Sequence, residues 1–216
     1  MIAVLDRPGV RVRDLMPADL PASASLHVLA FPTAAISLLG HETAQRFHEY
    51  LNSSSEFVGL AAFEGEKLAG ICFGGSVRDI EGAFLRRNFR FVTARIFLRP
   101  WLLLRPSFRE RTARGLRLLL SVSGRRAGRE IRPAGAEAVR SFGIRYLAVA
   151  PSYQGRGVAK LLLSECENVA RTRGFSTMDL TVLTDNHPAI GLYEQMGWRR
   201  LEENGAWRGF MFKSLA

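Results

Sequence analysis

Cysteine and histidine are scarce in this chain. Its 216 residues include only two cysteines, Cys72 and Cys166, far apart and outside any Cys-x-x-Cys arrangement. That excludes a disulfide-stapled scaffold or a cysteine zinc site, and both thiols are expected as small buried hydrophobes. His27, His41, His48 and His187 are scattered without the helical i, i+4 pairing plus acid that would hold an ion, so no metal is expected. The N-terminal Met1-Ile-Ala-Val-Leu-Asp-Arg-Pro8 lacks a positive start followed by the apolar stretch of a secretory signal, from which a cytoplasmic location is expected. With 47% apolar residues and mean hydropathy near zero, the length suits one well-filled core.

Lysine is missing where positive charge is densest. Residues 80–140 hold 15 arginines, 4 glutamates and no lysine, whereas the other 155 residues carry 15 basic and 16 acidic groups. The whole excess of +10 therefore sits in that block.

Residues 142–163 contain the most informative pattern: an apolar strand-like Phe142-Gly-Ile-Arg-Tyr-Leu-Ala-Val149, a turn Pro151-Ser-Tyr-Gln-Gly-Arg-Gly-Val-Ala159, then an apolar helical run. A glycine turn leading from a strand into a helix leaves unpaired backbone N–H groups beside the positive end of the helix dipole, which suits a phosphate. The spacing lacks the Lys-Ser/Thr of a Walker A turn and the three glycines of a dinucleotide turn. Downstream lies Thr184-Asp-Asn186-His-Pro-Ala189-Ile-Gly-Leu-Tyr193-Glu-Gln-Met-Gly197-Trp198. Asn186 reads as a helix N-cap, Pro188 as a first-turn residue and Gly197 as the C-terminal stop.

Together these segments resemble the GNAT superfamily of acetyl-CoA-dependent N-acetyltransferases, in which Gln/Arg-x-x-Gly-x-Gly/Ala forms the acyl-CoA loop and the next helix carries Asn, Tyr and Gly-Phe/Trp. The resemblance implies acetyl-CoA as cosubstrate and direct attack by an amine, and the acceptor expected is a primary amine on a small or lipid-linked molecule bearing an anionic group. It implies that main-chain groups around Leu147 and Val149 pair with the pantetheine arm. It further implies that N–H groups of Gln154, Gly155, Arg156, Gly157, Val158 and Ala159 hold the pyrophosphate, that Asn186 contacts the CoA arm, and that Tyr193 protonates the leaving sulfur.

Other roles for these residues remain open: Tyr193 lies on an apolar stripe with Ala189, Ile190 and Met196, and Asn186 also caps its helix. Relatives place a Glu or His base at positions that match Gly143 and Arg145, neither of which accepts a proton. Glu81, Glu137 and His187 are base candidates by chain proximity alone. Arg145 is expected either to attract an anionic acceptor or to be an ion-paired strand residue.

The expected architecture is α/β and GNAT-like: a mixed, mostly antiparallel central sheet flanked by helices, forming a single catalytic domain over 1–216. Strands are expected at Val10–Leu15, 57–63, 68–73, 142–149, 178–183, 198–202 and 206–213, with Asn204-Gly205 turning the last hairpin. Helices are expected from Pro17 through Ala30, at 42–51, 156–173 and 187–196.

Residues 80–140 read as a basic helical insertion between the third and fourth strands. Within it Leu85, Phe89, Val92 and Ile96 recur at helical spacing opposite Arg86, Arg87, Arg90 and Thr93, with Pro100 ending the helix and a second helix at 108–122. Three uses of 84–122 stay open: a flap packed on the catalytic domain or a sister subunit, a contact with anionic lipid at the inner membrane face, or phosphate recognition. Nucleic acid is not expected as partner, and a homodimer is the default expectation. The reading of another class is a membrane- or nucleic-acid-associated acetyl-CoA-binding module without turnover.

Overall fold

In the computed structural model, residues 6–7, 9–76, 80–99, 101, 141–203 and 205–215 are described. The alternation of Val10-Arg-Val-Arg-Asp14 does form a strand, β2, with Val10 and Val12 turned inward. Asp6–Arg7 precedes it as β1, too short for a period-2 signal in the sequence. β3 (Phe57–Glu64) and β4 (Lys67–Gly75) are apolar on both faces and are joined by a two-residue turn. β5 (Ser141–Val149), β6 (Thr177–Thr181), β7 (Arg199–Glu203) and β8 (Ala206–Ser214) complete the set.

Among the described residues these make one eight-stranded sheet in the order β1-β2-β3-β4-β5-β6-β8-β7. Every neighbouring pair is antiparallel except β5 with β6. That parallel pair needs a crossover, and α6 (Val158–Thr172) supplies it. Val158, Leu162, Cys166, Val169 and Ala170 give α6 a continuous apolar face that packs on β2, β3, β4 and β5. The mixed, mostly antiparallel sheet flanked by helices is the expected fold.

The chain divides into two compact units. The first comprises 1–17, 51–77 and 132–216 and contains the sheet, α6 and α7 (His187–Gln195). The second comprises 18–50 and 78–131. It holds α1 (Leu20–Ala30), α2 (Ala35–Leu38), most of α3 (His41–Asn52), α4 (Ile80–Arg87) and α5 (Phe89–Phe97).

The single amphipathic helix expected across Leu85–Ile96 is instead two. Asn88 takes φ −110°, ψ 25°, outside the helical well, and its side chain donates to the Phe84 carbonyl at 3.1 Å, closing α4 before α5 starts. The buried face also differs: Ile80, Phe84 and Val92 are buried, whereas Phe89 is exposed. Phe84 packs edge-on against Phe47 of α3 at 5.2 Å between ring centres. The helix expected at 108–122 lies outside the described residues.

Candidate active site

β5 pairs with β4 from Gly143 to Val149, but on its other side it is covered only in part. Its ladder with β6 ends at Ile144↔Leu180, and beyond that point Val182 donates its N–H to Gly209 of β8. Among the described residues no strand covers β5 from Arg145 to Val149 on that side. The Ala150 N–H donates to the Ala69 carbonyl at 2.9 Å, one step beyond the Gly70↔Val149 pair. Antiparallel bonding alternates, so Ala148 and Tyr146 also turn their main chain toward β4. Leu147 and Val149 turn theirs toward the open side. These are the two residues whose backbone was singled out in the sequence. The Val149 carbonyl accepts a hydrogen bond from Gln154 Nε2 at 3.3 Å, so a ligand at that carbonyl requires the exposed Gln154 side chain to swing away.

The strand hands over to α6 through a short 3-10 turn, Pro151–Tyr153, and then Gln154–Gly157. Gly155 has φ 73° and Gly157 has φ 81°, both in the left-handed region that glycine alone enters cheaply. A Cβ on Gly155 would meet nothing within 4 Å, so glycine is needed there for its backbone angle and not for packing. Gly157 is the N-cap of α6, and the N–H groups of the helix's first turn have no intrahelical acceptor. A concavity of main-chain donors at a helix N-terminus fits a diphosphate. The Arg156 side chain does not face it: it pairs with Glu64 and lies 4.9 Å from the Tyr153 ring centre.

α7 begins as the sequence implies. Asn186 accepts the Ala189 N–H on its side chain at 3.3 Å, and Pro188 occupies the first turn. At the other end Gly197 has φ 83°, and the Trp198 N–H returns to the Tyr193 carbonyl at 3.0 Å. Tyr193 is buried in the cluster that includes α6 residues, 6.0 Å from the Trp198 ring. Burial, reinforced by the Cys72 thiol, pushes the phenol up to about 12. Cys72, whose thiol contributes to that rise, lies opposite Leu147 in the β4–β5 register.

A β-bulge interrupts the ladder at the same place. Phe73 pairs with Tyr146 and Gly74 with Ile144, leaving Arg145 as the extra residue. Its guanidinium folds over Gly143, filling the space a side chain there would occupy. Arg145 contacts Asp179 Oδ2 and the Gly75 carbonyl, both at 3.4 Å. Asp179 Oδ1 is buried and has no hydrogen-bond partner among the described residues. Asp179 stands opposite Gly143 on β6, so the pair occupies the sheet face away from α6.

Asp179 was not a sequence candidate, although an acid between Met178 and Leu180 in an apolar strand was a visible signal. Of the proposed bases, His187 is exposed at the start of α7, Glu81 is exposed on α4, and Glu137 lies outside the described residues. Cys72 and Cys166 are both buried and free of disulfides. Among the described residues, no group of three His, Cys, Asp or Glu could hold a metal ion, and no helix is long and apolar enough to cross a membrane.

The sheet and helices of the described residues are similar in fold to solved acetyltransferases of the GNAT family. The PaiA N-acetyltransferase of Thermoplasma acidophilum, solved in complex with coenzyme A, superposes with TM-score 0.54 at 13% identity, covering 95% of this chain and 98% of that one. YncA of Salmonella typhimurium, solved with its cofactor acetyl-CoA, superposes with TM-score 0.58 at 16% identity, covering 96% and 95%.

In sequence, residues 123–198 match the model of the Acetyltransferase (GNAT) family. The thialysine N-epsilon-acetyltransferase of Sus scrofa is 32% identical over 77 residues, 36% of this chain and 45% of that protein. The chain thus spans under half the length of the curated relatives it matches. Residues 123–198 thus resemble the GNAT family in sequence, and the described residues share the fold of solved acetyltransferases.

Proposed function

We propose that this chain is an acetyl-CoA-dependent N-acetyltransferase, a single catalytic domain over 1–216, that acetylates a primary amine on a small or lipid-linked acceptor bearing an anionic group. One observation carries the reading: the uncovered edge of β5 at Leu147 and Val149 runs directly into the paired left-handed glycines at the N-terminus of α6. The edge holds the pantetheine arm as an added strand, and the amides from Gln154 to Ala159 hold the pyrophosphate. Acetyl-CoA supplies the activated acyl group; the chain's residues supply alignment and proton control.

Tyr193, its phenol raised to about 12, stays protonated at neutral pH and serves as proton donor to the departing sulfur. A standing phenolate opposite a thiol of ordinary pKa, about 8.5, would be uphill by roughly 3.5 units, about 5 kcal/mol. The phenol therefore gives its proton to sulfur as the attacking nitrogen's second proton passes back to the phenol oxygen, so that no phenolate stands. Arg145, fixed by Asp179 and the Gly75 carbonyl, presents a cation to an acidic group on the acceptor. With Arg145 covering Gly143, the usual base position is closed, and the acceptor's first proton leaves to water. That favours amines of low pKa, because deprotonating an ordinary primary ammonium at neutral pH costs about 4 kcal/mol.

The closed base position also favours a second reading, in which acetyl-CoA is bound without turnover. Calorimetry with coenzyme A, followed by thiol release from acetyl-CoA across amino sugars, polyamines, peptides and thialysine, separates the two. Stoichiometric heat with acceptor-dependent thiol release is expected. Heat without release from any acceptor supports the sensor, and no heat ends both readings.

A further inference from the structure

α5 uses its arginines in two different ways. On one side Arg95 pairs with Glu42 and lies 5.2 Å from the centre of the Phe91 ring, on which Arg46 stacks at 4.0 Å. Just past the helix, Arg99 donates to the Leu38 carbonyl at 3.0 Å and lies against Gly40. These cations tie α5 to α2 and α3. On the other half of the helix Phe89, Arg90, Ala94, Phe97 and Leu98 share one exposed surface, with Arg87 exposed at the end of α4. Phe89 is 59% exposed, Phe97 80%, Leu98 69%, and Trp101 beyond the helix 54%. No acidic residue occurs between Glu81 and Glu110.

We infer that this face docks on an anionic lipid surface, with Phe97, Leu98 and Trp101 entering the interfacial layer and Arg87 and Arg90 meeting lipid phosphates. Large apolar side chains held in water beside unopposed cations are the composition of an interfacial helix. A second copy of the same face would set arginine against arginine without an acid to answer it. A nucleic acid would engage the two cations and leave the aliphatic and aromatic groups in water, whereas a bilayer accommodates both. The inference stands apart from the acetyl-transfer reading, because it concerns a surface and not the β5 edge.

The test uses the full chain with vesicles of neutral lipid and of neutral lipid containing roughly 30% phosphatidylserine, where two arginines should strengthen binding about thirtyfold. Of the three tryptophans Trp198 is buried, Trp207 half-buried and Trp101 exposed, so emission should shift to the blue on binding, and Trp101→Phe should lose that shift. Phe97→Ser combined with Leu98→Ser should lower binding at least tenfold, and Arg87→Gln combined with Arg90→Gln should remove the preference for anionic vesicles. Unchanged melting curves confirm that the variants fold. Binding indifferent to both double variants overturns the inference, as does failure of the intact chain to bind vesicles. So would oligonucleotide binding without vesicle binding, or a dimer that Phe97→Ser takes apart.

Discussion

Gly157 carries two demands at one residue. Its φ of 81° turns the chain so that successive amides converge ahead of α6, and its position as N-cap sets those amides against the helix dipole. A β-branched residue there is strained by about 1–2 kcal/mol and relaxes by rotating the amides apart. Gly157→Val is therefore expected to weaken coenzyme A binding at least tenfold by calorimetry, while circular dichroism shows the helix retained. Tyr193 is the opposite case, where one oxygen carries the function and the ring carries the packing. Tyr193→Phe keeps the ring against Trp198 and removes only the donor. Turnover should fall about a hundredfold or more with coenzyme A affinity unchanged, the pattern of a group acting only on the reacting atoms. Equal turnover, with acyl transfer shown to be rate-limiting, would return Tyr193 to a packing role.

At the scale of elements, helix ends were the most legible feature, because their determinants are local. Asn186, Pro188 and Gly197 mark the two ends of α7 within one residue of the sequence reading, whereas α6, expected from 156, starts at Val158 behind its Gly157 cap. The Asn186 cap makes a measurable claim. Asn186→Ala removes the acceptor for the Ala189 N–H and should cost about 1 kcal/mol. Thermal unfolding should then move down by a few degrees. Because Tyr193 sits at the far end of α7, turnover should drop less than in Tyr193→Phe. A larger drop would mean that Asn186 contacts the cosubstrate directly.

The bulge at Arg145 was not legible, since register depends on β4, seventy residues upstream. Nor was the break at Asn88: the apolar spacing runs through it, and the helix ends where Asn88 leaves the helical well and its side chain bonds the Phe84 carbonyl. Asp179 escaped for a related reason: its significance comes from the parallel pairing that sets it opposite Gly143 and against Arg145.

Across the whole molecule, charge and stability are governed by different residues. The arginine excess was countable from the sequence, but nothing in the scattered positions of His27 and His48 announced that they meet. They do so inside the helical unit, where Ser23 Oγ lies 2.7 Å from His48 Nδ1 and His48 Nε2 lies 3.0 Å from His27 Nδ1. Both rings are fully buried, and burial lowers His27 to about 4 and His48 to about 3, the neighbouring imidazole adding to the latter.

A ring that resists protonation when folded and accepts a proton near pH 6.5 when unfolded makes the unfolded chain the better proton binder between those values. This contribution to stability is complete above about pH 6.5 and is lost as pH falls toward the folded values. Between pH 7 and pH 5, before carboxylates titrate strongly, the loss should be on the order of 2 kcal/mol per histidine. Urea unfolding at the two pH values should show the midpoint falling in the intact chain, and falling about half as far in His48→Gln. Ser23→Ala, which leaves both imidazoles in place, should lower stability at each pH without flattening the difference between them. A midpoint that does not move from pH 7 to pH 5 would mean that the two rings are not buried together as neutral groups.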